Sequence, residues 1–370
     1  MKPVKIILAA AFLTSFIHMA NAQIRIGQTA GFTGPVSAGV KETTDGAKLY
    51  FNAINAKGGV LGQKIELLSL DDKFDPKLAG ENARALIEKE QVLAMFLTRG
   101  TPHTQAVIPV LDEYRVALVG PSTGAMVLHQ PLQKHVFNVR ATYQREAERA
   151  IVHLHSIGIT RIGVIYVDDS FGEDGLAGAE KGFVKTGLKP VLTEKFNRSK
   201  PDFGLITPKV VETRAQAILM VAASQAIVDG LKSFREGGSQ AQLVTLSNNA
   251  SSGFIKSMGA MGTGQIVMQV FPSERSIASP MVKQALEIAT AQKVGQLSPA
   301  MLEGFAAAKV LVEGLRKAGR NPTREKLITA LEGLRQFDLG GLKVTYTEAS
   351  HTGLDFVDLS IIGTDGQFKR

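Results

Sequence analysis

The chain has no cysteine among its 370 residues. This excludes a disulfide framework, thiolate chemistry and any cysteine-ligated metal, so the fold must be held by packing alone. Blocks of five or more like charges are also missing, as is any basic stripe interleaved with aromatics. Nucleic acid is therefore not an expected partner. The formal net charge of +8 includes Lys2 and Lys5 at the very N-terminus, and the remainder is a mild basic excess that says little about partners. Long hydrophobic runs are absent too, except over residues 6–17. That run is shorter than the roughly 20 residues a bilayer span needs.

The short run has another meaning. Lys2 and Lys5, the apolar core and Ala20-Asn21-Ala22 match the three parts of a cleavable secretion signal over residues 1–22. The mature chain is expected to start at Gln23 and to be a soluble periplasmic protein, since no cysteine follows that could carry a lipid. The length predicts two domains, and 44% hydrophobic residues give each a core.

Strand, loop and helix alternate along the mature chain. Residues 24–76 read as a βαβ unit: Ile24-Arg-Ile-Gly27, an amphipathic helix, the stop Gly58-Gly59, then Ile65-Glu-Leu-Leu68. Leu78, Ala83, Leu86 and Ile87 share one face of a predicted helix over 77–89 behind Pro76. Residues 92–97 are continuously apolar, as a parallel strand covered on both faces requires. A helix over 104–114, bent by Pro109, and a strand over 116–119 follow. The order then repeats. A helix over 144–157 stops at Gly158, a strand opens at Arg161, and a helix stops at Gly187. Strands at 217–222, 242–246 and 265–269 come next, then helices over 281–294, 299–318 and 323–334. The chain ends with β structure at 342–346 and 356–362. The prediction is an α/β protein of two lobes, each a doubly wound, mainly parallel sheet, with a cleft between them. Ligands of such sheets sit beyond the carboxyl ends of the strands. The loops there are rich in hydroxyls, amides and glycine, which suits a small polar ligand.

Several motifs invite chemistry and lack its context. The glycines Gly27, Gly31 and Gly34 do not form G-x-G-x-x-G, and Pro35 follows where a phosphate-binding helix should run. No cofactor is expected. Gly120-Pro-Ser122-Thr-Gly124 is a literal G-x-S-x-G, and Asp338 and His351 follow in hydrolase order, so an exported serine esterase is a rival reading. Against it, Pro131 truncates the helix a nucleophile elbow needs. As a plain loop the same residues offer hydroxyls and N–H groups to a carboxylate. His153 and His155 diverge on a helix, and no metal site is expected from them. Asp168 and Asp169 read equally as a cation or ammonium site and as a strand-end turn before a helix.

Together Thr33-Gly-Pro35, Asp45-Gly-Ala47, Asn55-Ala-Lys-Gly-Gly-Val-Leu-Gly62, Asp71-Asp72, Gly120-Pro-Ser122 and Asp168-Asp-Ser-Phe-Gly172 resemble the type I periplasmic binding proteins of the leucine/isoleucine/valine-binding class. The resemblance spans essentially the whole mature chain. It implies a Venus-flytrap receptor for an ABC importer, without catalysis, that hands an amino acid or carboxylate-bearing compound to an inner-membrane permease. It implies an N-terminal lobe of residues 23–141 plus 273–346 and a C-terminal lobe of 142–272 plus 347–370, with hinges near 140–143, 271–273 and 346–352. A monomer is expected. A ligand-sensing module for a separate signalling partner is the alternative. By the same resemblance the ligand carboxylate is held by Thr101 and by Ser122, Thr123 and Gly124, and Phe171 closes over it. Asp168, Ser224 and Asn248 complete the candidate site, with Arg99 as an extra anchor. Two departures stand out. The acid that holds a ligand ammonium in amino-acid binders is absent from Leu246-Ser-Asn-Asn249, and a first-lobe aromatic is replaced near Gly39. The places of a common disulfide fall near Phe74 and Gly100.

Overall fold

The computed structural model describes residues 23–370, so the predicted secretion signal lies outside the described residues. Five parallel strands form the first sheet: β1 (Ile24–Ala30), β2 (Ile65–Asp71), β3 (Ala94–Phe96), β4 (Leu118–Val119) and β5 (Val136–Phe137), in the order β2-β1-β3-β4-β5. Helices α1 (Ser37–Ala56), α2 (Pro76–Glu88) and α3 (Thr101–Tyr114) connect them. The register of β1 on β2 pairs Ile24 with Ile65 and Ala30 with Asp71. Asn55 pins that register, because its side-chain amide both donates to and accepts from the backbone of Ile65. Leu86, Val107 and Leu111 of α2 and α3 pack on one face of this sheet.

After β5 the chain crosses to a second lobe. It holds α4 (Tyr143–Ser156), β6 (Ile162–Val167), α5 (Ser170–Thr186), β7 (Leu192–Phe196), α6 (Phe203–Glu212), β8 (Ala217–Val221), α7 (Ser224–Glu236), β9 (Gln242–Thr245), α8 (Ser252–Met258) and β10 (Ile266–Gln269). The chain then returns to the first lobe with α9 (Pro280–Ala291), α10 (Pro299–Ala318), α11 (Arg324–Glu332), β11 (Phe337–Asp338) and β12 (Lys343–Val344). A third crossing adds β13 (Asp358–Ile362) and β14 (Phe368–Lys369) to the second sheet, ordered β14-β13-β10-β9-β8-β6-β7. Within it β13 runs against its neighbours β10 and β14, and the remaining pairs are parallel. The expected two-lobed α/β architecture is the one observed.

Each lobe has its own apolar core. Phe51, Phe96, Phe305 and Leu311 belong to the first, Val164, Ile218, Phe234 and Phe254 to the second. In both, a pair of helices meets backbone to backbone. A Cβ on Gly46 of α1 would stand 1.9 Å from the Met301 carbonyl oxygen of α10, and one on Gly304 would stand 1.8 Å from that of Thr43. On α5, a Cβ on Gly178 would stand 2.5 Å from the Gln144 carbonyl oxygen of α4, and one on Gly182 would stand 2.9 Å from that of Glu148. Only glycine permits such approach.

Element starts follow their caps. Asp75, Thr142, Asp169, Ser298 and Thr323 each accept a backbone N–H from the first turn of the following helix. The helix expected from residue 104 starts three residues earlier, because Gly100 adopts φ +92° and turns the chain directly from β3 into α3.

Candidate functional site

The carboxyl ends of β3, β4, β6, β8 and β9 converge where the lobes meet. Beyond β3, Arg99 and Ser122 form one further parallel bridge, and the Ser122 N–H donates to the Thr98 carbonyl at 2.7 Å. This fixes Ser122 beside Arg99. One guanidinium nitrogen of Arg99 donates to Ser122 Oγ at 2.8 Å, and the other crosses to the second lobe and donates to the Asn248 carbonyl at 2.5 Å. Arg99 is 5% exposed. Thr101 Oγ1 lies 2.8 Å from Thr123 Oγ1, both fully buried. Gly124 is pressed against the Ala141 carbonyl, where a Cβ would come within 2.6 Å.

A small cavity of ≈20 Å³ lies at this junction, lined by Arg99, Thr101 and Gly100 from the first lobe and by Phe171, Asn248 and Ala223 from the second. Tyr143 and Phe171 close one side, ring centroids 4.8 Å apart. Phe74 and Arg198 close another, with the guanidinium carbon 5.2 Å from the ring centre. Arg198 is itself held by Asp169, Nη2 to Oδ2 at 2.5 Å. Phe74, Arg198 and Ala223 also border a second cavity of ≈180 Å³, whose wall includes Val167, Phe196 and Pro201.

Behind Tyr143 sits a buried ionic cluster. Arg140 of the first crossing donates to Glu146 of α4 and, at 2.5 Å, to Ser247 Oγ, while Glu303 of α10 stands 3.7 Å away. Burial works against the Arg140 charge, but Glu146, Tyr143 and Glu303 hold its pKa above the ordinary value. Burial pushes the Glu146 carboxyl up against the opposing pull of Arg140 and Ser247. This cluster ties both lobes to the crossing. Elsewhere the lobes touch through Ser170 and Gln105, and through Glu42 of α1, which accepts the N–H groups of Ser252 and Gly253 at the start of α8 at 2.9 and 2.8 Å.

Of the residues singled out in the sequence, Thr101, Ser122, Thr123, Phe171 and Asn248 come together with Arg99. Ser224 lies one residue beyond the lining Ala223 and donates its hydroxyl proton to Asn249 Oδ1. Asp168 turns away to Lys195 of β7, at 3.1 Å and with half of its side chain exposed. Asp169 caps α5 and holds Arg198. Arg99 fills the space over Gly39, since a Cβ there would lie 3.5 Å from its Nη2. Phe74 and Gly100 are neighbours, as a Cβ on Gly100 would lie 3.0 Å from the Phe74 ring. Arg198 and Glu42 were not visible as site residues in the sequence. The esterase arrangement does not assemble. His351 stacks on Phe137 and faces Glu332, Asp338 accepts N–H groups of Gly340 and Gly341, and only the short 3-10 turn Met126–Leu128 follows Ser122. Among the described residues no cluster of histidine and acidic groups could hold a metal ion, and no helix is long and apolar enough to cross a membrane.

Two lobes joined by three crossings, with a buried polar site between them, define a hinged ligand-binding protein. The model of the periplasmic binding protein family matches residues 23–356, and the chain belongs to that family, in its type I, leucine/isoleucine/valine-binding branch. It is 25% identical over 358 residues to the Leu/Ile/Val-binding protein BraC3 of Rhizobium johnstonii, covering 90% of each chain. A substrate-binding periplasmic protein of Ralstonia solanacearum superposes with a TM-score of 0.86 at 31% identity, over 94% of this chain and 99% of that one. A branched-chain amino acid transporter protein of Thermus thermophilus with bound valine shares the fold, with a TM-score of 0.82 at 16% identity, over 94% and 95%. These relatives are ligand-binding proteins.

Proposed function

We propose that the chain is the periplasmic solute-binding receptor of an ABC importer, capturing a small carboxylate-bearing solute between its lobes and delivering it to a membrane permease. The observation that carries this reading is Arg99, a buried guanidinium reaching from Ser122 in one lobe to Asn248 in the other. The ligand carboxylate is assigned to Arg99, to the hydroxyls of Thr101, Ser122 and Thr123, and to the backbone at Gly124. Phe171 covers the ligand. We assign the lobes to residues 23–141 with 273–346 and to residues 142–272 with 347–370. A ligand touching both lobes favours the state in which they meet, and its differential affinity sets the shift. The permease then grips the paired lobe surfaces of a monomeric receptor exported by the leader.

The test is thermal unfolding of the mature protein across a library of amino acids and organic acids, with small-angle scattering on any compound that raises the midpoint. Stabilisation with compaction is expected. A library in which nothing raises the midpoint or compacts the protein overturns the reading.

A further inference from the structure

We infer that the ligand is a carboxylate without an ammonium group, and that Asn248 reads a neutral donor on it, a hydroxyl or amide N–H. The inference rests on the receptor reading above and narrows its ligand.

Charge pairing comes first. Two guanidinium groups line the inter-lobe cavity and no carboxylate does. Arg198 has Asp169. Among the described residues Arg99 has the Ser122 hydroxyl and the Asn248 carbonyl as acceptors, both neutral. A guanidinium sealed between two lobes calls for an anion, because neutral acceptors replace its hydration only in part. An ammonium entering the same cavity would meet two cations and no counter-ion. Glu146 and Glu303 are committed to Arg140 behind Tyr143 and Asp168 to Lys195, while Asp229, on the wall of the neighbouring cavity, accepts from the Gln225 amide.

Asn248 supplies the second, independent observation. The residue is 7% exposed, and its Nδ2 donates to the Ala222 carbonyl at 2.9 Å. That bond fixes which end of the amide is oxygen. Oδ1 is buried with no hydrogen-bond partner among the described residues. It is an acceptor awaiting a donor, at a cavity where an acid would serve an ammonium and a neutral oxygen suits a hydroxyl or an amide. The ligand's tail then points toward the second cavity, whose Val167, Phe196 and Pro201 are apolar.

The experiment uses matched triples of carboxylates on the mature chain. Each triple keeps one carbon skeleton, from propanoate to 3-phenylpropanoate, and carries a 2-amino group, a 2-hydroxyl or hydrogen. Thermal shift selects the skeleton and calorimetry measures affinity. The 2-hydroxy acid is expected to bind roughly a hundredfold or more tightly than the amino acid, and about three- to tenfold more tightly than the unsubstituted acid. Asn248→Asp is expected to reverse the first ratio, gaining the amino acid at least ~10-fold, with its unliganded midpoint checking the fold. Should that variant not fold, the wild-type triples decide alone. An amino acid that binds wild type as well as its hydroxy analogue overturns the inference but leaves the receptor reading standing. If Glu303→Gln then abolishes that binding, Glu303, whose Oε1 is ion-paired to Arg140 without a hydrogen bond, is the ammonium site. A wild type that responds to no skeleton in any form overturns the carboxylate-receptor reading, and the inference with it.

Discussion

Gly253→Ala isolates the contact between α1 and α8. A Cβ at this position would stand 2.5 Å from the Ala38 Cβ and 3.4 Å from Glu42 Oε1. Carbon atoms rest at about 3.5–4.0 Å, so α8 must retreat from α1 by about 1 Å. Ala38 cannot yield by rotating a side chain, because its Cβ, like the one added at position 253, is fixed to helix backbone; only the looser contact with Glu42 Oε1 can adjust. Retreat therefore means opening the lobes. It also stretches the 2.8 and 2.9 Å bonds by which Glu42 caps α8 from across the cleft. Overpacking of this kind costs about 1–3 kcal/mol, and here it falls only on the state in which the lobes touch. In the parted state the added methyl is free and favours the helix by about 0.5–1 kcal/mol relative to glycine. Ligand affinity should accordingly weaken roughly five- to 150-fold, with unliganded thermal stability unchanged or higher. Calorimetry with a carboxylate found in the panel, and scattering with and without it, give the two readouts. Affinity and compaction equal to wild type would refute the assignment of this contact to closure. Glu42→Gln should weaken binding in the same direction by about three- to tenfold, and the double variant should fall short of additivity.

Thr101→Ala should weaken carboxylate binding at least ~10-fold and leave the unfolding midpoint nearly in place; unchanged affinity means the carboxylate sits elsewhere. Gly304→Ala should lower stability by about 3 kcal/mol or more, since its Cβ would overlap the Thr43 carbonyl oxygen, whereas Gly295→Ala, with nothing within 4 Å, should be mild in thermal unfolding. Burial holds both His103 and His129 down at about 4. The unfolded chain takes up these protons first, so their stabilising effect is full above pH ~6.5 and lost as pH falls toward 4. Burial raises Asp72 to about 6, so that carboxyl gains stability over the same fall and opposes them. Burial raises Glu146 and Asp174 as well, but His153 and His351 are also held down, and hydrogen bonds hold Asp71, Asp338 and Asp365 below the usual carboxylate range. These lowered groups all lose stability on acidification, so the thermal midpoint should drop between pH ~6.5 and 4, and less so in His103→Phe, which keeps the stack on Phe74. A midpoint that rises on acidification would contradict the assignment.

Long, evenly buried strands were legible because every residue of β6 and β8 is apolar or glycine, and glycine stops follow α4 and α5. β7 escaped because it is an edge strand, Leu-Thr-Glu-Lys-Phe, apolar only at its ends. β5, β11 and β14 are two residues long and carry no period at all. The hydroxyl-bearing loops after β3 and β4 followed from topology alone, since ligand loops lie at strand carboxyl ends. Arg198 could not, for it sits in the loop behind the missed β7. Glu42 reads in sequence as one more polar residue on α1, and its cap on α8, about 210 residues downstream, exists only where the two lobes meet. Asp168 and Asp169 look alike in sequence; the partners Lys195 and Arg198, about 30 residues downstream, send them in different directions.

The backbone-to-backbone meeting of α1 with α10, and of α4 with α5, sets how the molecule can transmit an event. Where glycine brings helices that close, the contact is backbone on backbone and leaves little to rearrange, so each lobe behaves as a stiff plate and takes up little of a push internally. Work done at the cleft then emerges undiminished as a change of angle between the plates. On the receptor reading proposed above, a membrane partner holding both would receive a signal with two values, and the chemistry of the solute would never have to reach it.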